Sequence, residues 1–224
     1  MFLVKRGALD KRLDPNFYKF EFQLIINRIT QNPSKKLLQL VQFSNETWNG
    51  EDFFESIFPY IEISAIDLGS GEIKEINHVP IGEAPSRAKM IVRENDIIVS
   101  TTRPNTGAIA KISKNQDFSI ASTGFSVIRY LKVKELLKEY LHIILRHRIC
   151  LNQMSQRSSG RNYPAITQEE LGNIIIPLPT LSIQNEIVEH ITDLRQRAKT
   201  LEAEAKEAIE TAKAEVERMI LGES

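Results

Sequence analysis

Two short stretches carry side chains whose chemistry suits the reading of base edges. Thr101-Thr102-Arg103-Pro104-Asn105-Thr106 and Arg161-Asn162-Tyr163 each combine an arginine with an asparagine. Arginine can bond guanine at two acceptors, asparagine can bond adenine at two points, and a threonine methyl can rest on that of thymine. Thr101, Arg103, Asn105 and Thr106, with Arg161, Asn162 and Tyr163, are therefore candidates for base reading. Lys35, Lys36, Arg87, Lys89, Arg103 and Arg157 are candidates for phosphate contact. The competing reading has Arg103-Pro104 shape a turn and Ser159-Gly160-Arg161 merely link a helix to a strand. Trp48 either stacks on a base or, beside the Asn49-Gly50 turn, covers the edge of the core.

Other chemistry finds less support. His142 and His147 are five apart, the wrong offset for two ligands on one helix face, and no set of Cys or carboxylates stands nearby at ligand spacing. Cys150 is the only cysteine; it lies in an apolar helical stretch, which points to packing, and it excludes an internal disulfide and any multi-cysteine metal site. Asp52, Glu72 and Lys74 loosely mimic the acidic pair and lysine of metal-dependent nucleases, and an independent nuclease is the rival reading they support. Against it, Glu72-Ile73-Lys74 alternates as solvent-facing strand residues would. No glycine-rich phosphate loop and no Asn-Pro-Pro-aromatic motif for holding a flipped adenine occurs, so no catalytic residue, metal or cofactor is assigned to this chain.

The formal charge of the 224 residues is zero, but it is unevenly spread. Residues 127 to 163 carry eight Lys or Arg against Glu135 and Glu139, a balance of +6, whereas residues 181 to 224 balance to −4. A basic stretch can face phosphate while an acidic helix faces protein or water; the alternative is two solvated helix faces. No apolar run approaches the roughly 20 residues of a membrane helix, and the first residues lack a signal peptide's long apolar centre, so a cytoplasmic protein without a membrane partner is expected.

These residues require a scaffold. Asp14-Pro15 and the stripe Phe17, Phe20, Leu24, Ile25 predict a first helix near 15 to 31. From Phe58 the pattern changes to strands: Tyr60 to Ile63 and Ile73 to Val79 around Gly69-Ser70-Gly71 as a hairpin, then 96–100, 107–112 and 119–129, all within one twisted sheet. Residues 132 to 156 predict one helix packed on that sheet, and Ser158 to Pro164 an exposed loop. After Ile174 to Ile176, the prolines of Pro177-Leu178-Pro179 mark a boundary: residues 1–180 form an α+β (mixed α/β) globular domain, and residues 181–224 a long coiled-coil helix.

That helix, about 60 Å long at roughly 1.5 Å per residue, carries a seam of Ile187, Ile191, Leu194, Ala198, Leu201, Ala205, Ala208 and Ala212 at alternating steps of four and three. A seam needs a partner helix, and its alanines let two backbones approach closely. The helix is read as a spacer that joins a second copy; the plainer alternative is a coiled-coil interaction protein with no role on DNA.

The ordered set of motifs resembles the specificity subunit of type I restriction-modification systems. The matching residues are Arg12-Leu13-Asp14-Pro15 with Phe17-Tyr18, Ala84 to Lys89 before Asp96 to Pro104, Ser122 to Phe125, Tyr163-Pro164-Ala165-Ile166, Ile176 to Pro179, Gln184 and Ile187-Val188. The resemblance implies a non-catalytic domain that reads one half of a split duplex DNA target, followed by a shared helical region. It also implies methyltransferase and restriction (motor) subunits as partners, with S-adenosylmethionine and Mg/ATP used there. Family members usually carry two such units with their helices antiparallel, whereas one unit is present here, which implies a half-subunit that forms a homodimer or a portion of a longer subunit. The helix would then set the gap between the two halves of the target.

Overall fold

The protein is described here by a computed structural model covering residues 15–50, 52–160 and 163–222. The elements run in chain order as α1 (Phe20–Thr30), β1 (Ser34–Lys36), α2 (Leu37–Leu40), β2 (Val41–Ser44), β3 (Ile57–Ile61), β4 (Asn77–Pro80), β5 (Ala88–Ile91), β6 (Ile97–Ser100), β7 (Ile109–Lys111), β8 (Ile120–Ser122) and β9 (Phe125–Leu131). There follow α3 (Lys138–Arg146), α4 (Arg148–Arg157), α5 (Gln168–Gly172), β10 (Ile175–Pro177) and α6 (Leu181–Leu221). The fold class is the one expected, a mixed α/β domain followed by a long helix.

The strands do not form the single expected sheet. One four-stranded sheet has the order β2-β9-β6-β7 and another β4-β3-β8-β5; β1 and β10 pair as a separate ribbon. The chain changes sheets between β8 and β9, across Thr123-Gly124. A Cβ on Gly124 would lie 2.8 Å from Ile63 Cδ1, so a larger residue at this corner would require the Ile63 side chain to shift. Alternation then gives each sheet its faces. Ile61 and Ala121 join Ile98, Ala108, Ala110 and Val127 in a core built from both sheets. Their neighbours Phe58, Tyr60 and Ile120 pack with Trp48 and Ile91 in a second cluster. Trp48 is thus a core residue: its Nε1 donates to the Asp52 carbonyl at 2.6 Å, and its ring meets Phe54 edge-on.

Two predicted helices are shorter than their patterns suggest. Residues Pro15–Tyr18 form a 3-10 turn before α1; the expected cap at Asp14 lies outside the described residues. The helix expected over 132 to 156 starts only at Lys138 and breaks at His147, whose Nδ1 accepts from the Ile149 N–H at 3.3 Å and so caps α4 as a new helix. His142 and His147 consequently sit on either side of a break, not on one helix. Cys150 is fully buried, which pushes its thiol pKa up, and it acts as a packing residue.

The basic stretch also changes meaning. Arg129 binds the buried Asp96 at 2.9 Å and also pairs with Glu46, which Arg93 holds from the other side at 2.6 Å. The bond from Arg93, with that from Arg129, keeps the Glu46 carboxyl below the ordinary carboxylate range against the opposing effect of burial. Lys132 donates to the Leu38 carbonyl, Lys138 to that of Arg129, and Arg146 to those of Leu68, Gly69 and Ser70. Arg157 pairs with Glu170 at 2.8 Å. Five of the eight cations counted between 127 and 163 therefore hold the fold together, so the +6 balance overstates the charge available to a ligand.

The globular unit ends at Gln184 and a helical unit begins at Asn185. Gln184 lies in the first turn of α6 and is fully buried. Its Oε1 accepts from Leu137 N–H at 2.9 Å, and its Nε2 donates to the carbonyls of Glu135 and Pro179, each at 2.8 Å. Nearby, Tyr140 donates to the Pro177 carbonyl at 3.0 Å, and burial raises the phenol to about 12.

Candidate nucleic-acid interface

Strand direction gathers most of the candidate readers at one end of the globular unit. β6 finishes at Ser100 opposite Phe125, where β9 begins, and β8 finishes at Ser122 opposite Ala88, where β5 begins. The segments beyond these ends are tied side by side: Thr123 N–H donates to the Arg87 carbonyl at 2.8 Å, and Thr101 N–H donates to that of Gly124 at 2.7 Å. Arg87, Thr101 and the 103–106 turn therefore adjoin. Thr123, exposed between Arg87 and Thr101, belongs to the same surface; its motif was visible in the sequence, but only the sheet-switching corner places its side chain there.

The loop after α4 is joined to this end although it lies some 60 residues further along the chain. Arg103 N–H donates to the Pro164 carbonyl at 2.7 Å, Ile166 N–H to the Thr101 carbonyl at 2.9 Å, and Ser159 and Ala165 exchange two bonds of 2.8 Å. Gly160 makes the return possible: its φ is +96°, and a Cβ there would meet the Tyr163 carbonyl oxygen at 2.8 Å. Tyr163 is 72% exposed, and the Arg103 guanidinium carbon lies 5.0 Å from its ring centroid. Asn105 and Thr106 are exposed on the short 3-10 turn Pro104–Thr106, which is bounded by left-handed residues Arg103 and Gly107. The Thr101 hydroxyl is occupied by the Gly124 carbonyl and that of Thr106 by the Arg103 carbonyl, both at 2.9 Å. Arg161 and Asn162 lie outside the described residues.

The remaining phosphate candidates are dispersed. Lys89 is exposed on edge strand β5, two residues beyond Arg87. Lys35 and Lys36 lie on the β1-β10 ribbon, the first paired with Glu135 at 2.7 Å and the second donating to Asn173 at 3.2 Å. Arg157 faces inward, its side chain only 13% exposed, between Glu170 and the Phe17 ring. Of the nuclease-like set, Lys74 is paired with Asp67 at 2.6 Å, and Asp52 accepts from Asn49 at 2.8 Å. Glu72 and Lys74 flank an isolated bridge at Ile73 and do not alternate along a strand. Among the described residues no three His, Cys, Asp or Glu are grouped so as to hold a metal ion.

In the helical unit the seam side chains Leu194, Ala198, Leu201, Ala205, Ala208 and Ala212 are exposed, Leu201 to 64%, while Ile187 and Ile191 are half-buried. Ile209, Val216, Met219 and Ile220 extend the apolar surface toward the end of α6. No helix among the described residues is long and apolar enough to cross a membrane.

Comparison with known proteins adds a second line. The family model described as "Type I restriction modification DNA specificity domain" matches residues 38–211, from α2 into α6. The chain is 25% identical over 216 residues to the type I restriction enzyme EcoBI specificity subunit of Escherichia coli, which covers 93% of this chain and 42% of that protein. It is 27% identical over 122 residues to the HindI specificity subunit of Haemophilus influenzae, covering 54% of this chain and 26% of the other. The solved HsdS subunit of Thermoanaerobacter tengcongensis is similar at 32% identity with a TM-score of 0.65, covering 75% of this chain and 43% of that one. A chain from a structural study of the assembly and conformational transition of the type I R-M system is similar at 32% identity and a TM-score of 0.66, covering 79% and 45%. The chain thus spans less than half the length of each of these relatives.

Proposed function

Because this chain belongs to the type I restriction-modification DNA specificity family, we propose that it reads one half of a split DNA target and delivers that site to methyltransferase and restriction subunits. The observation that carries the reading is the family match through residues 38–211. Supporting it, exposed Arg87, Arg103, Asn105 and Tyr163 share one end of the globular unit, a mixture of charge, amide and aromatic groups suited to phosphate and base edges.

Residues 1–180 are the recognition domain and residues 181–224 the spacer. Lys89, beside Arg87, and Lys35 and Lys36 on the β1-β10 ribbon add phosphate contacts, and Arg161 and Asn162 read bases; Arg157 serves the fold. The exposed seam of α6 joins a second copy, so that two readers meet two half-sites on one duplex. The chain contributes recognition and no catalysis. S-adenosylmethionine serves the methyltransferase subunits, Mg/ATP serves the motor, and the complex acts on DNA in the cytoplasm.

The test is reconstitution. Purified methyltransferase subunits are incubated with plasmid DNA with and without this chain, and modified adenines are mapped. Methylation confined to a two-part target, and only when the chain is present, is expected. The same site specificity without the chain would end the proposal.

A further inference from the structure

Arg103 occupies a backbone position that suits glycine. Its φ of 47° and ψ of 52° lie in the left-handed region, which an ordinary side chain disfavours, and the following Pro104 restricts it further. The turn uses only its main chain: the N–H bonds Pro164, and the carbonyl accepts from the N–H of Thr106 at 3.0 Å and from its hydroxyl at 2.9 Å. A glycine would make all three bonds without strain. The side chain is exposed and rests 5.0 Å from the ring of Tyr163, which is itself 72% exposed. Among the described residues its side chain adds to the fold only a stack in solvent, and a strained residue so placed points to a task outside the fold.

The geometry suits a particular task. Arg103 and Tyr163 come from loops 60 residues apart that are joined by backbone hydrogen bonds, so the stack is held at both ends. An arginine resting on an aromatic face loses less rotamer freedom on binding, and a preorganised fork favours a flat two-acceptor target. In DNA that target is the O6 and N7 edge of guanine in the major groove.

We infer that Arg103, held against Tyr163, reads a guanine in the half-site. This assignment rests on the DNA-reading role proposed above and adds to it the base and the residue. Asn105, two residues on and exposed, is placed to meet a neighbouring base, whereas Tyr163 acts by positioning Arg103.

The experiment is selection from randomised duplexes by the full chain, assembled with its methyltransferase subunits, in wild-type, Arg103→Gly, Arg103→Lys, Tyr163→Phe and Tyr163→Ala forms. Wild type should enrich a motif containing a guanine at which 7-deazaguanine, lacking the N7 acceptor, weakens binding. Arg103→Gly should relax preference at that position alone and weaken binding to the selected site roughly 10- to 100-fold, while melting at or above the wild-type temperature because the turn is relieved. Arg103→Lys should lose discrimination while keeping general affinity. Tyr163→Phe should behave as wild type, and Tyr163→Ala should lose part of the preference. A wild-type motif that survives Arg103→Gly unchanged overturns the assignment and leaves the reading role standing. Failure of the wild-type assembly to enrich any motif overturns both.

Discussion

At Gly160 and His147 the character of one residue shapes the local chain. Gly160 turns the chain back so that Tyr163 reaches Arg103, with φ at +96° and no room for a Cβ against the Tyr163 carbonyl. Gly160→Ala should therefore cost about 1–3 kcal/mol in urea unfolding and weaken DNA binding, as the two loops part. An unchanged midpoint would show that the loop relaxes without strain. His147 caps α4 only while its Nδ1 is unprotonated. Loss of solvent around the ring, with the Arg148 charge beside it, lowers its pKa from the ordinary value. A depressed histidine contributes stability that is complete above its unfolded pKa of about 6.5 and is lost as pH falls through the lower folded value. Relative to His147→Asn, which caps at any pH, the wild type should lose stability as pH falls below about 6.5, by less than about 1 kcal/mol of cap energy, read as a lower melting temperature. A difference independent of pH would remove His147 from this role.

Among the elements, the first turn of α6 depends on a single polar side chain. Gln184 satisfies one half-buried N–H and two carbonyls that the segments around Leu137 and Pro179 leave without strand or helix partners. Gln184→Leu keeps the approximate volume and deserts all three groups. The expected loss is about 1–3 kcal/mol in equilibrium unfolding of the globular unit, since each unmade half-buried bond carries part of its desolvation cost. A change below about 0.5 kcal/mol would mean that water replaces the amide. Apolar periodicity made the long helix and the strands near 57–61, 97–100, 109–111 and 120–131 legible, but not β1, β2 or β5. What escaped was polar: the cap at His147 that divides one expected helix into two, and the commitment of Arg129, Arg146 and Arg157 to Asp96, backbone carbonyls and Glu170. A charge count cannot separate such cations from those that face solvent, because their partners lie 13 to 78 residues away along the chain.

For the molecule as a whole, the proposed function requires two readers. The exposed alanine-rich seam supplies a surface on which two helices can close together, with Leu201 among its larger side chains. Leu201→Glu should convert a dimer to a monomer in light scattering and, in the reconstituted complex, abolish methylation of the two-part target while the globular unit melts unchanged. A dimer that persists would place the contact elsewhere. The match of residues 38–211 to one family model runs through both units, which agrees with a reader and a spacer that act together.

The amino-acid sequence by itself determined the mixed α/β class, the long helix with its seam and the family, because these follow from periodicity and from the order of local motifs. Tertiary structure decided that there are two sheets, that Trp48 is core, and that the turn at Arg103 meets the loop at Tyr163. The physical reason is that these facts depend on hydrogen bonds and contacts between segments distant in the chain. No local pattern encodes whether Pro164 accepts from Arg103, or whether an arginine is paired with a buried aspartate or left facing solvent.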